Sequence, residues 1–216
     1  MIVNATQPFG HLGELSANLD VLYATTVGNY LSLVVPVCWI IFILDWSVSS
    51  LFVKKSLTKR GPGWIIWRVV AALFVILFVR FDKSGALSFF RFSFRSFFSF
   101  VLPGSVLTLL GLFGAVWARV YLGRNWSGYA TYKENQTLIT TGPYRYVRHP
   151  IYTSMILMFI GTILYYGSLL VSIFFIILAI SFILRTKKEE EIMTGLFGEK
   201  YTDYMKRTKR LIPLIY

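Results

Sequence analysis

Four apolar runs decide what this chain can become. At about 1.5 Å of rise per residue, crossing roughly 30 Å of hydrocarbon takes about 20 residues. Val21 to Leu44, Trp64 to Phe81 and Val101 to Leu122 meet or approach that length. The fourth run, Ile151 to Leu184, is too long for one crossing and is interrupted at Tyr165-Tyr166-Gly167-Ser168. Glycine followed by serine predicts a tight turn there, so the run reads as two antiparallel helices. The expectation is an all-α integral membrane protein with about five transmembrane helices, the last two a tight helical hairpin. With 56% hydrophobic and only 15% charged residues, the chain cannot coat a water-soluble body.

The net charge of +12 would suggest nucleic acid in a soluble protein. Here the basic residues fall between apolar runs, where they report topology, and no nucleic-acid partner is expected. Loops that alternate across the bilayer carry 16 Lys and Arg on one side and 3 on the other. The N-terminus is therefore expected outside, with the C-terminus and the loop from Gly123 to His149 in the cytosol. The segment before Val21 has no basic residue and no apolar core, so the first span is expected to act as an uncleaved insertion signal. Arg68, Arg80 and Arg119 lie near span ends and are expected to snorkel to the headgroups. The aromatic segment Phe89 to Phe98, with its Arg and Ser, reads as an interfacial helix. Apolar residues at helical spacing from Glu191 to Lys209 predict an amphipathic cytosolic helix that packs on the membrane domain or covers a site.

Chemistry-bearing residues concentrate in two blocks. The first is Gly142-Pro143-Tyr144-Arg145-Tyr146-Val147-Arg148-His149-Pro150-Ile151-Tyr152. Pro150 suits the first turn of a helix, which puts His149 at or beside the cap. A helix start carries unpaired amides and partial positive charge, so it suits an anion, although an ordinary span start with an interfacial histidine has the same pattern. The second block is Arg185-Thr186-Lys187-Lys188-Glu189-Glu190-Glu191, followed by Phe197-Gly198 and Tyr201. Arg185 and Glu189, four apart, share a helix face, either as a surface ion pair or as a clamp for a substrate carboxylate beside an acceptor for a cation or hydroxyl. The only other histidine, His11, is expected across the membrane, and the single cysteine, Cys38, has no partner, so no metal site is expected. Nucleophilic triads, phosphate loops and dinucleotide fingerprints are absent. The Asn-x-Ser/Thr sequences at Asn4, Asn125 and Asn135 carry no weight, since two are expected cytosolic and one lies near the terminus.

Taken in order, Arg124-Asn125-Trp126-Ser127, Gln136-Thr137-Leu138-Ile139, Gly142-Pro143-Tyr144, Arg148-His149-Pro150-x-Tyr152, Arg185-x-x-x-Glu189-Glu190, Phe197-Gly198-x-x-Tyr201-x-x-Tyr204 and Leu211-Ile212-Pro213 resemble the isoprenylcysteine carboxyl methyltransferase family, related to phospholipid methyltransferases. The resemblance covers roughly Leu122 onward. It implies one membrane domain, with residues 1–121 forming variable spans and residues 122–216 carrying the methyltransferase motifs. It implies S-adenosylmethionine as cofactor, bound through Gln136, Thr137, Leu138, Ile139, Tyr144, His149, Pro150, Ile151, Tyr152 and Glu189, with Arg185 engaging the acceptor's carboxylate. Gln136 stands where many members carry histidine and keeps a hydrogen-bonding group. The implied partners are membrane lipids and a lipid-borne methyl acceptor, with prenylated cysteine the family expectation. A phospholipid or other small-lipid methyltransferase is the alternative enzyme, and a non-catalytic lipid-binding or scaffold protein the alternative from another class. Sterol reductases share an Arg-His-Pro-x-Tyr block, but they use a nicotinamide cofactor and have longer chains with more spans. Should the acceptor be an amine, His149, Tyr144, Tyr152 and Glu190 are the candidate bases.

Overall fold

The computed structural model describes residues 30–31, 33–52, 97–126 and 136–213. The expected second span and most of the aromatic segment before α2 lie outside the described residues. Among the described residues five α-helices follow one another: α1 (Leu33–Ser49), α2 (Phe97–Leu122), α3 (Pro150–Tyr166), α4 (Leu169–Phe197) and α5 (Glu199–Arg207). No strand occurs among the described residues, only an isolated bridge between Val147 and Lys209. Among the described residues two helical stretches, Phe100–Asn125 and Leu169–Phe197, are long and apolar enough to cross a membrane, while α1 and α3 are shorter.

The most extensive contact joins α2 to α3. Its basis is glycine: a methyl group added at Gly104 would lie 2.7 Å from the Gly161 carbonyl oxygen, and one at Gly111 would lie 2.7 Å from that of Ser154. Lipid tails are as apolar as leucine, so helices in a membrane gain little from burying apolar surface against each other. Close backbone approach through small residues supplies the attraction instead. Met158, fully buried, fills the space beside Gly111 and joins Cys38, Phe42, Leu112 and Ala115 in one cluster.

α1 docks on this pair through Val35, Cys38 and Phe42, at helical spacing, while Ile40, Ile41, Ile43 and Leu44 face outward. Trp39 donates its indole hydrogen to Thr162 Oγ1 at 3.0 Å and stacks on Phe159 and Phe175, so α1 is tied to both α3 and α4.

The expected break in the fourth run is present. Gly167 ends α3 in the left-handed region at φ 55°, its amide bonding the Ile163 carbonyl at 2.9 Å, and α4 begins two residues later. Glycine lacks the Cβ that makes this conformation costly. The other end of α4 departs from expectation. The apolar run stops at Leu184, but the helix continues through the charged block to Phe197, where Gly198 at φ 55°, ψ −127° ends it. The tail expected as one helix from Glu191 is thus divided: its first part extends α4 and its second is α5. A change from apolar to charged residues alters what a helix faces and leaves its backbone bonds intact.

Candidate functional site

A turn over Gly142–Arg145 carries the first motif block to α3. Gly142, at φ 59°, packs directly on the ring of Tyr121. His149 is the N-cap of α3 and Pro150 its first residue, as the sequence predicts. The chain beyond α5 returns to this point: the amides of Arg148 and His149 donate to the carbonyls of Lys209 and Arg210 at 2.8 and 3.1 Å. Thr153 Oγ1 donates to the Leu211 carbonyl at 2.6 Å, and the Tyr204 hydroxyl to the Tyr144 carbonyl at 2.6 Å. Backbone polar groups that α3 and the turn leave unpaired are satisfied by the tail, which fixes it over the site.

Below the tail lies an ion cluster. Glu190, 5% exposed at its side chain, accepts from Arg148 Nε at 2.7 Å through Oε1 and from Arg210 Nε at 2.9 Å through Oε2. Arg148 also donates to the carbonyls of Met205 and Thr208. Burial alone would raise the Glu190 pKa, but hydrogen bonds from His149, Arg210 and Arg148 and the charge of Arg148 lower it to about 2. A buried carboxylate flanked by two guanidinium groups is stable only while all three are present.

Beside this cluster is an open cavity, with about 910 Å³ of empty space when its mouth is included. Gln136, Thr137, Leu138, Ile139, Tyr144, His149, Ile151, Tyr152 and Glu189 all line it. Of the ten positions taken from the resemblance as cofactor-binding, only Pro150 is absent, held in the helix start next to its neighbours. Arg185 lies one contact away: its Nε donates to Glu189 Oε1 at 2.8 Å, and the Tyr152 hydroxyl donates to the same oxygen at 2.7 Å. Glu189 Oε2 faces His149 Nδ1 at 3.7 Å, and the His149 ring stacks on Tyr152. His149 Nε2 is buried and faces Glu190 Oε1 at 3.4 Å.

Several lining residues carry no signal as ligands in the sequence. Asn125 binds both the side chain and the amide of Thr137, at 2.9 and 3.4 Å, which fixes the segment from Gln136 to Ile139. Trp126, Met193, Phe197, Tyr201 and Tyr204 complete the wall. Tyr201 and Tyr204 come from α5; the 3.6-residue period marks them as buried without indicating what they face. Arg119 corrects an expectation: it is 5% exposed rather than snorkelling, and it bonds the carbonyls of Gly123 and Ser49. Burial raises the pKa of Tyr144 and Tyr201, and that of Tyr204 to about 12, so these phenols are neutral donors at neutral pH. Tyr144 and the low-pKa Glu190 are thereby poor bases. Among the described residues no group of His, Cys, Asp and Glu is arranged to hold a metal ion.

The helical architecture and the motif-lined cavity agree with a match of residues 100–200 to the family model of the phospholipid methyltransferases. A protein-S-isoprenylcysteine O-methyltransferase of Schizosaccharomyces pombe is 34% identical over 101 residues, 45% of this chain and 43% of its own length. The cobalt-zinc-cadmium resistance protein CzcN of Cupriavidus metallidurans is 32% identical over 162 residues, 73% of this chain and 65% of its own length. In fold, the chain resembles the eukaryotic intramembrane Ras methyltransferase, an isoprenylcysteine carboxyl methyltransferase, with a TM-score of 0.52 at 23% identity, covering 74% of this chain and 55% of that one. The chain is thus similar to the phospholipid methyltransferases over residues 100–200 and to an isoprenylcysteine O-methyltransferase over a stretch of 101 residues. It spans about half the length of these relatives, 43% of one and 65% of the other.

Proposed function

We propose that this protein is an integral membrane methyltransferase that uses S-adenosylmethionine and methylates the carboxylate of a prenylated cysteine or a similar lipid-borne acceptor. The observation that carries the reading is the convergence of residues from four separate sequence blocks on one cavity, with Arg185 and Glu189 joined at its edge. The donor set suits an amphipathic cationic cofactor. Glu189 offers a carboxylate to a cationic or hydroxyl group, the start of α3 offers positive potential to a carboxylate, and Trp126, Leu138 and Ile139 offer apolar wall to a flat ring.

When bound, the cofactor supplies a methyl group already activated on a sulfonium. The protein's task is then to align the two reactants and exclude water. Glu189 holds one edge of the Arg185 guanidinium and partly balances its charge. That arrangement lets Arg185 orient an acceptor carboxylate without an ion pair tight enough to blunt its nucleophilicity. A carboxylate is ionised at neutral pH and needs no base. An amine headgroup would need one, and the place of His149 on the cavity wall makes a small-lipid acceptor the second reading.

The same reading has five spans in a single domain, with residues 122–216 carrying the site, and places the N-terminus outside and the cavity in the cytosol. The charge asymmetry of the loops supports it. The deciding experiment measures transfer of labelled methyl from S-adenosylmethionine to a panel of prenylcysteines, phospholipids and fatty acids. Calorimetric cofactor binding to the wild type and to Glu189→Ala accompanies it. Transfer to prenylcysteine alone is expected, with binding lost in the variant; absence of binding by both proteins rejects the enzyme in favour of a lipid-binding scaffold. Arg185→Ala is expected to keep cofactor binding and lose carboxyl methylation.

A further inference from the structure

Arg119 does not line the cavity, and no step above uses it. It is nevertheless among the most buried charged side chains described, 5% exposed, near the end of a helix where the bilayer surface is close at hand. A long cationic side chain in that position ordinarily reaches for water. Here Nη1 donates to the Gly123 carbonyl at 2.7 Å and Nη2 to the Ser49 carbonyl at 2.9 Å, so one guanidinium closes the ends of both α2 and α1. Its guanidinium lies over the indole of Trp126, with the central carbon 4.6 Å from the ring centroid.

Trp126 belongs to the cavity wall. Its own amide donates at 3.3 Å to the same Gly123 carbonyl that Arg119 engages, and the Trp46 ring of α1 meets it edge-on at 5.6 Å and 81°. The indole is therefore held between a cation and a perpendicular ring. Asp45 and Arg119 line a second, small cavity at the ends of α1 and α2, where the carboxylate supplies the charge opposite to the guanidinium. Lysine could provide the positive charge, but a forked planar group is needed to hold two carbonyls and lie over a ring at once.

We propose that Arg119 is a positioning residue that sets the indole of Trp126 as a wall of the cavity and couples that wall to the end of α1. Only the binding effect rests on the reading of the cavity as the methyl-donor site; the placement of Trp126 is independent of it. The test uses the full chain in lipid nanodiscs, labelled with 5-fluorotryptophan, with Trp126→Phe identifying the Trp126 fluorine resonance. Arg119→Gln is expected to move that resonance and to weaken S-adenosylhomocysteine about 5-fold, the scale of a modest cation–π contact, while kcat at saturating donor stays near the wild type. Arg119→Lys should fall between the two.

Trp126→Leu, which keeps Arg119, should weaken binding as much as Arg119→Gln, and the double variant should bind no more weakly than Trp126→Leu alone. A Trp126 resonance unmoved in Arg119→Gln overturns the proposal, as do additive losses in the double variant. Should Arg119→Gln not fold, Trp126→Leu decides: affinity equal to the wild type overturns the proposal. Failure of the wild type to bind S-adenosylhomocysteine, with the resonance still moving in Arg119→Gln, rejects the functional reading and leaves the positioning role standing.

Discussion

The α2–α3 contact and the clasp around Glu190 hold the same protein together by opposite means. The first is built from glycines, which bring carbonyls and side-chain stems of the two helices close together. The second gathers two arginines, a glutamate and several carbonyls within hydrogen-bond reach of one another. Packing of the first kind fits the interior of a bilayer, where small residues bring backbones together. Charge of the second kind belongs beyond the apolar run, where ions keep part of their hydration. The bundle is thus assembled by shape, and the cavity is closed by electrostatics.

The largest expected effect comes from breaking the clasp. Glu190→Ala leaves two arginines without their counter-charge, which should cost about 3–5 kcal/mol in the docking of the tail. Hydrogen exchange should rise across residues 199–211 while the α2–α3 contact stays protected. An unchanged exchange pattern would show that the backbone bonds alone hold the tail.

Breaking the other region comes next. Gly111→Val forces α2 away from Ser154 and Met158, with an expected loss of about 1–3 kcal/mol in thermal stability and little change in the exchange of α5. Parallel loss in both regions would mean that they unfold as one unit, and the contrast would collapse.

A smaller change sharpens it: Tyr204→Phe removes the bond to the Tyr144 carbonyl and should cost about 1 kcal/mol, seen as a modest rise in tail exchange. Acid should produce the gentlest effect over an accessible range. Glu190 has its pKa lowered from 4.5 to about 2, so its contribution is fully present above about pH 4.5 and is lost progressively as pH falls through about 2. Tail protection, corrected for intrinsic exchange, should therefore be flat from neutral pH to about 4.5 and decline below it. Protection of residues 104–114 should follow no such curve.

Much of the cavity was legible in the sequence because its residues fall in short blocks whose order is itself a pattern. His149-Pro150 announced the start of α3 through the missing proline amide, and Gly167 announced its end. The continuation of α4 to Phe197 was hidden because hydropathy locates the bilayer, whereas helix ends are set by backbone geometry, here by Gly198. Arg119 was hidden for a related reason. Position along a span shows how near a side chain is to water, but burial depends on what the neighbouring helices offer, and two open carbonyls and an indole outcompeted the headgroups. Asn125 and Trp126 stood inside a recognised block, yet their places in the wall depend on Thr137 and on α1, far away in the sequence.

The return of the tail to the first motif block also has a consequence for biogenesis. Lys209, Arg210 and Leu211 satisfy the backbone and side chains of Arg148, His149 and Thr153, so the pocket cannot exist until the ribosome has released the chain through Leu211. All the described helices will by then have been handed to the membrane. Quality control during insertion therefore meets a bundle with an unfinished site, and the cavity is completed in one late step, when the tail docks.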